Sequence, residues 1–245
     1  EMTTTSKYSI SINDPNWGCT HVEIICSTIS PKIKLCHVKV SDIKKIALEL
    51  TNSVLNTSWI MSLDQGTRRS YEKTAAETAQ LLVDIFNKAA SSSKVAGDFG
   101  ELLVSIGSAR ALELIFDHIQ TPIAELWKPQ KKQNEGFDFH TTCPGKLINF
   151  GEAKYSSKTN PHGDALSQAH KFIRADKHFR DRVHLINLVH EDAIENLDNG
   201  KFGIVAAFSL NSTSPLTIFD NALASAKGIL SFGKIETIYL VGVSK

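Results

Sequence analysis

Residues 136–155 read GFDFHTTCPGKLINFGEAKY. Two short runs rich in apolar and β-branched residues, Gly136–Thr142 and Leu147–Tyr155, flank Cys143-Pro144-Gly145-Lys146. Proline and glycine side by side favour a tight turn, so the stretch predicts a β-hairpin. Side chains alternate along a strand, which puts Glu152 and Lys154 on one face. With Pro144–Lys146 as the loop, Cys143 pairs with Leu147 and Asp138 lies opposite Glu152, with Cβ atoms about 5 Å apart. Two carboxylates that close repel unless a proton or a cation sits between them. A Glu–Lys pair at this spacing also occurs as a weak salt bridge on an exposed strand. Here Phe137 and Phe139 flank Asp138, and Ile148 and Phe150 precede Glu152. That apolar setting predicts a covered strand, where an unpaired charge costs several kcal/mol.

Asp138, Glu152 and Lys154 together suit phosphodiester hydrolysis. A divalent ion held by oxygen ligands lowers the pKa of a bound water and stabilises charge on a phosphoryl group. A lysine beside it can position the attacking water or neutralise a phosphate. The reading therefore expects Mg²⁺ or Mn²⁺ as cofactor.

Outward from the hairpin, the N-terminal side carries a helical pattern. Asp98 and Glu101 form a D-x-x-E capping pair at the start of a helix running to about 118. A short apolar piece follows at 123–127, then a basic connector with Lys128, Lys131 and Lys132. On the C-terminal side a helix is expected over about 163–180, strands near 183–189, 203–210 and 236–243, and a helix near 218–229. Residues 7–40 read as short strands, with Tyr8, Ile10 and Ile12 alternating with polar residues. Ser41-Asp42 offers a cap for a helix over 42–55, and a longer helix spans 67–90 before Ser91-Ser92-Ser93 interrupts it. The fold class is thus α/β (α+β): a mixed central sheet flanked by helices over 94–245, preceded by a strand-rich accessory region over 1–93.

The ordered set G-F-D-F-H then G-E-A-K-Y, with thirteen residues between Asp138 and Glu152, resembles the PD-(D/E)xK nuclease superfamily. That resemblance implies a restriction-endonuclease-like core and a metal-dependent DNA endonuclease. By analogy, Asp138, Glu152 and the Ala153 carbonyl bind the metal, Lys154 assists the attacking water, and Glu101 supports the metal from the preceding helix. Gln168, four residues before Phe172, is similar to the Q-x-x-x-Y element of the RecB-like branch, with phenylalanine in place of tyrosine. Phe137 stands where the family pattern has proline. More narrowly, chain length, the strand-rich N-terminus, G-D-F-G-E-L-L and G-E-A-K-Y-S-S resemble the HamA nucleases of the Hachiman antiphage system. This implies a cytoplasmic bacterial defence effector acting on DNA under a helicase partner (HamB-like).

The bulk properties set limits on these expectations. The chain has 245 residues, 42% hydrophobic and 22% charged, with a formal net charge of +1. A polyanionic partner must therefore meet a local basic surface. Lys128, Lys131 and Lys132, and Lys171 and Arg174 on the helix after the motif, are the candidates. A solvated helix face accounts equally well for the second group. Four cysteines, Cys19, Cys26, Cys36 and Cys143, form no CxxC pair and read as reduced thiols. His162, His170 and His178 are spaced by eight without a second ligand cluster, which argues against zinc. No phosphate-binding G-x-x-x-x-G-K-[ST] loop occurs, so a motor must sit on another chain. No apolar run reaches the ~20 residues of a membrane span. Two other readings fit the residues: a noncatalytic binding module on a degenerate nuclease fold, and a stand-alone restriction or repair endonuclease.

Overall fold

The structure, a computed structural model, describes all residues except 1–5, 28, 93, 96 and 129–135. Three N-terminal strands, β1 (Ser6–Asp14), β2 (Cys19–Cys26) and β3 (Ile33–Val40), form an antiparallel meander. Helices α1 (Ile43–Leu55), α2 (Ser58–Met61), α3 (Gln65–Ser92) and α4 (Gly97–Phe116) follow. Then come β4 (Ile119–Gln120), a 3₁₀ turn (Ala124–Leu126), and the hairpin strands β5 (Phe139–Thr142) and β6 (Ile148–Lys154). Helices α5 (His162–Arg174), α6 (Lys177–Leu185) and α7 (Glu191–Asp198) lead to β7 (Gly203–Ser209), and α8 (Pro215–Leu230) leads to β8 (Thr237–Ser244).

Among the described residues, all eight strands belong to one mixed sheet in the order β1-β2-β3-β8-β7-β6-β5-β4. The central four, β3, β8, β7 and β6, run parallel, and both margins are antiparallel. A parallel sheet must be covered on both faces, and its strands read as continuous apolar runs. Every residue of β7 (GIVAAFS) is buried, as is all of β6 except Lys154. The N-terminal strands form no sheet of their own. They extend, through the parallel pairing of β3 with β8, the sheet that carries the 136–155 hairpin.

Ring contacts assign the two faces. The ring of Tyr239 on β8 lies 5.7 Å from Phe116 and 4.6 Å from His118, which places α4 on its side of the sheet. Tyr239 is level with Val205 and Gly151, so Phe150, one residue along, points the other way. Phe150 meets His178 of α6 at 5.8 Å and Phe137 at 5.1 Å, and Phe137 meets Phe172 of α5 at 5.5 Å. Helix α4 is buried around nearly its whole circumference, with Phe99 edge-on to Phe86 of α3 on its outer side. An all-round apolar helix needs such a second layer.

Asp42 caps α1 as its sequence position suggests, accepting from the Lys44 and Lys45 amides. Two expectations differ. The helix expected over 163–180 is broken at Asp176, whose φ of +54° ends α5 and starts α6. The strand expected at 183–189 is instead the last turn of α6 and the turns after it. Only Leu185 of that run is fully buried, while Val183 and Ile186 face solvent, which is helical and not alternating burial. Helix α7 is an addition to the expected elements. Glu191 and Asp192 sit in its first turn and Ala193, Ile194 and Leu197 face the core.

Gly151 lets β6 pass close to its neighbour. A Cβ there would fall 2.5 Å from the Phe139 ring, opposite it in the hairpin. Gly151→Ala must displace that ring, and is expected to destabilise the fold by about 1–3 kcal/mol, read as a lower midpoint in urea. Unchanged stability would show that Phe139 is not tightly seated.

Candidate active site

The hairpin forms in the register expected from its turn. The Cys143 amide donates to the Leu147 carbonyl at 3.1 Å, and Phe139 lies opposite Gly151. Lys146 closes the turn with φ +59°. One step further along, Asp138 stands beyond the end of β5, next to Glu152. Its amide donates to the Gly151 carbonyl at 2.9 Å, and its carboxylate Oδ2 accepts from the Ala153 amide at 2.7 Å. The side chain thus takes the place a strand carbonyl would have filled. A residue's N–H and C=O point to the same strand edge, so the Ala153 carbonyl looks to the Asp138 side as well.

Glu152 is 1% exposed, and its Oε1 accepts from the Lys154 ammonium at 2.8 Å. Its Oε2 is buried without a hydrogen-bond partner. Burial and the Asp138 charge push the Glu152 carboxyl well above the usual range, against the pull of Lys154. Asp138 is raised for the same first reason, burial, and held back by the Ala153 amide and Lys154. Burial disfavours the Lys154 ammonium, but the bond to Glu152 and the surrounding carboxylates outweigh it and keep the amine protonated. Glu101, exposed on α4, adds its charge to Asp138, Glu152 and Lys154. The site therefore gathers Asp138, Glu152, Ala153, Lys154 and Glu101 at the C-terminal end of β6.

Gln168 belongs to the same side. Glu152 and Lys154 share the Phe150 face, which α5 covers. Helix α5 runs back along β6: His162 at its start lies 5.8 Å from Phe208, level with Lys154, and Phe172 near its end meets Phe137. Gln168 is half-buried between those levels, on the stripe of Phe172. Lys171 and Arg174 are exposed on α5 and open to solvent contacts, and Lys131 and Lys132 lie outside the described residues.

Lys128 has partners inside the protein. Its ammonium points inward, donating to the Phe137 carbonyl at 2.8 Å and pairing with Asp181 at 2.8 Å. Asp181, on α6, also bonds His140 Nε2 at 2.8 Å. A phosphate would have to compete with a buried carboxylate for that amine, which braces the segment behind the site. Burial works against the Asp181 charge, but His140 and Lys128 prevail and hold its carboxyl below the usual range. Burial keeps His140 neutral, so Nε2 carries the donated proton.

Glu125 is an acid that pattern reading passed over. It lies on the 3₁₀ turn, whose Ala124 amide donates to the Asp138 carbonyl at 3.1 Å. Its Oε2 is buried with no partner. Burial, then the Asp138 charge, raises its carboxyl to about 7. The only signal in the sequence was an acid inside the apolar piece IAELW, thirteen residues before Asp138.

Among the described residues, no three or more His, Cys, Asp or Glu side chains are arranged as a metal-ligand shell. The donor chemistry nonetheless fits Mg²⁺ or Mn²⁺. The groups are carboxylate and carbonyl oxygens, hard donors, and Glu152 Oε2 is an orphaned buried oxygen. Mg²⁺ commonly uses only one or two protein carboxylates. The four cysteines form no disulfide, and no helix among the described residues is long and apolar enough to cross a membrane. Set against protein-family models, curated proteins and solved structures, the chain matches none.

Two measurements check this geometry. Because Glu125 is raised from 4.5 to about 7, the folded chain holds a proton that the unfolded chain gives up. Stability is full below the ordinary glutamate range and falls as pH rises through about 7. In metal-free buffer, Glu125→Gln should match the wild-type Tm at pH 4.5 and exceed it at pH 8.5, by at most about 3 kcal/mol in stability. A difference that does not grow with pH would show that Glu125 is not buried as a free acid. Lys128→Ala strands the Asp181 charge and should cost about 3–5 kcal/mol. A loss under about 1 kcal/mol, as for an exposed lysine, would contradict the brace.

Proposed function

We propose that this chain is a metal-dependent DNA endonuclease of the PD-(D/E)xK type, built on a restriction-endonuclease-like core. The observation that carries the reading is the pairing of two carboxylates, half-buried Asp138 and buried Glu152, with Lys154 bonded to one of them. A buried glutamate with a partnerless oxygen, set beside a second acid, is costly for a merely structural feature. Parallel strands that end in a cluster of polar groups are also where open α/β sheets place ligands.

Asp138 and Glu152, with the Ala153 carbonyl, would hold Mg²⁺ or Mn²⁺. Such an ion, when bound, supplies an acidified water and charge stabilisation on the phosphoryl oxygens. The chain's own residues do the rest. Lys154, kept protonated by Glu152, donates hydrogen bonds to the attacking water and offsets phosphate charge. Asp138 is immobilised by the Ala153 amide, so its second oxygen keeps a fixed direction. The apolar wall of Phe137, Phe139 and Phe150 excludes bulk water from behind the site. Gln168 and Glu101 flank the pair from α5 and α4 and orient solvent and substrate.

The narrower likeness to HamA nucleases supports a cytoplasmic bacterial antiphage effector whose cleavage is controlled by a helicase subunit. Formal charge of only +1 suits a nuclease with little affinity for DNA alone. The missing three-residue ligand shell favours a second reading, a noncatalytic module on a degenerate nuclease fold.

Purified protein, alone and with a helicase partner, should nick or degrade DNA in Mg²⁺ and stop in EDTA. Glu152→Gln and Lys154→Ala should each lower cleavage by at least about 100-fold while keeping the wild-type circular dichroism. Cleavage that survives both substitutions refutes this site. Metal-independent DNA binding without any cleavage supports the second reading.

A further inference from the structure

The acids at the hairpin end outnumber the cations that serve them. Glu101, Glu125 and Asp138 act on one another electrostatically, and Glu101 and Asp138 act on Glu152 as well. Lys154 is committed to Glu152, and Lys128, the cation that acts on Glu125, is bonded to Asp181 and the Phe137 carbonyl. Two of these acids, Glu125 and Glu152, each present a buried oxygen that bonds nothing in the protein, and Glu152 is 99% removed from solvent by its 1% exposure. Buried polar atoms without partners are rare in native proteins, and each calls for an ion, a water or a functional role.

Glu125 is not there by accident of a loose loop. The Ala124 amide bonds the Asp138 carbonyl, the Lys128 amide bonds the Ala124 carbonyl at 2.8 Å, and the Lys128 ammonium bonds the Phe137 carbonyl. Those three bonds fasten the segment 124–128 alongside 137–138, so the glutamate is carried to the aspartate by backbone. Resting on the nuclease reading, we propose that Glu125 is a further carboxylate ligand of the divalent cation held by Asp138 and Glu152, on the side of Asp138 away from β6. As the side chains stand, the three carboxylates do not form a ligand shell, so Glu125 would turn its carboxylate toward the cation on binding.

The probe is Mn²⁺ added to the full-length protein, read by the loss of free-ion electron paramagnetic resonance signal and by the rise in Tm. Wild type should bind Mn²⁺. Glu125→Gln, isosteric and uncharged, should fold and melt at or above the wild-type Tm without metal, yet bind Mn²⁺ at least about 10-fold more weakly. Glu125→Asp keeps the charge and shortens the reach. It should also weaken binding, and it provides the reading if the glutamine variant does not fold. Wild-type Mn²⁺ affinity in either folded variant, with Glu152→Gln losing it, overturns the role of Glu125 and leaves the nuclease reading standing. No Mn²⁺ binding by wild type overturns both.

Discussion

A single hydrogen bond, from the Ala153 amide to the Asp138 carboxylate at 2.7 Å, joins the fold to its chemistry. Strand β5 begins only at Phe139, opposite Gly151, so β6 runs on through Glu152–Lys154 with no antiparallel strand on that edge. An aspartate side chain fills the gap. In doing so it comes beside Glu152, and the apolar sheet around both acids removes the water that would otherwise screen them. Much else follows from that placement: the raised carboxyls of Asp138, Glu152 and Glu125, the protonated Lys154, and the need for a compensating positive charge.

The surroundings resist relaxation of this strained charge distribution. Behind the hairpin, Lys128, Asp181 and His140 form a closed polar group that ties the segment before β5 to α6. Phe137, Phe150 and Phe172 pack between them. The carboxylates cannot swing apart without disturbing that layer, because close-packed interiors transmit displacement instead of absorbing it. Rigid support of this kind is what the proposed cation site would require. The same group gives an amine of the basic connector partners in the interior.

The N-terminal strands have a place in the same sheet. Their meander lengthens it beyond β8, and α3, the longest helix, covers the outer side of α4. The first turns of α4 bring Glu101 to the site, so residues before 94 stiffen the element that carries one of its acids.

Local patterning made several parts legible. The Pro-Gly turn set the hairpin register, alternation put Glu152 beside Lys154, Asp42 marked the start of α1, and unbroken apolar runs marked β7 and β8. These depend on neighbours within a few residues, where sterics and side-chain period dominate. The break at Asp176 was not legible, nor was the helical state of 183–189, because apolar and β-branched residues suit either conformation until packing chooses. Tertiary structure alone decided that β3 would pair with β8, that Lys128 would turn toward Asp181, and that Glu125 would join the acids. Each brings together residues 13 to more than 200 positions apart, and in each the deciding force is burial: which charges lose water together is a property of the packed chain, not of any segment of it.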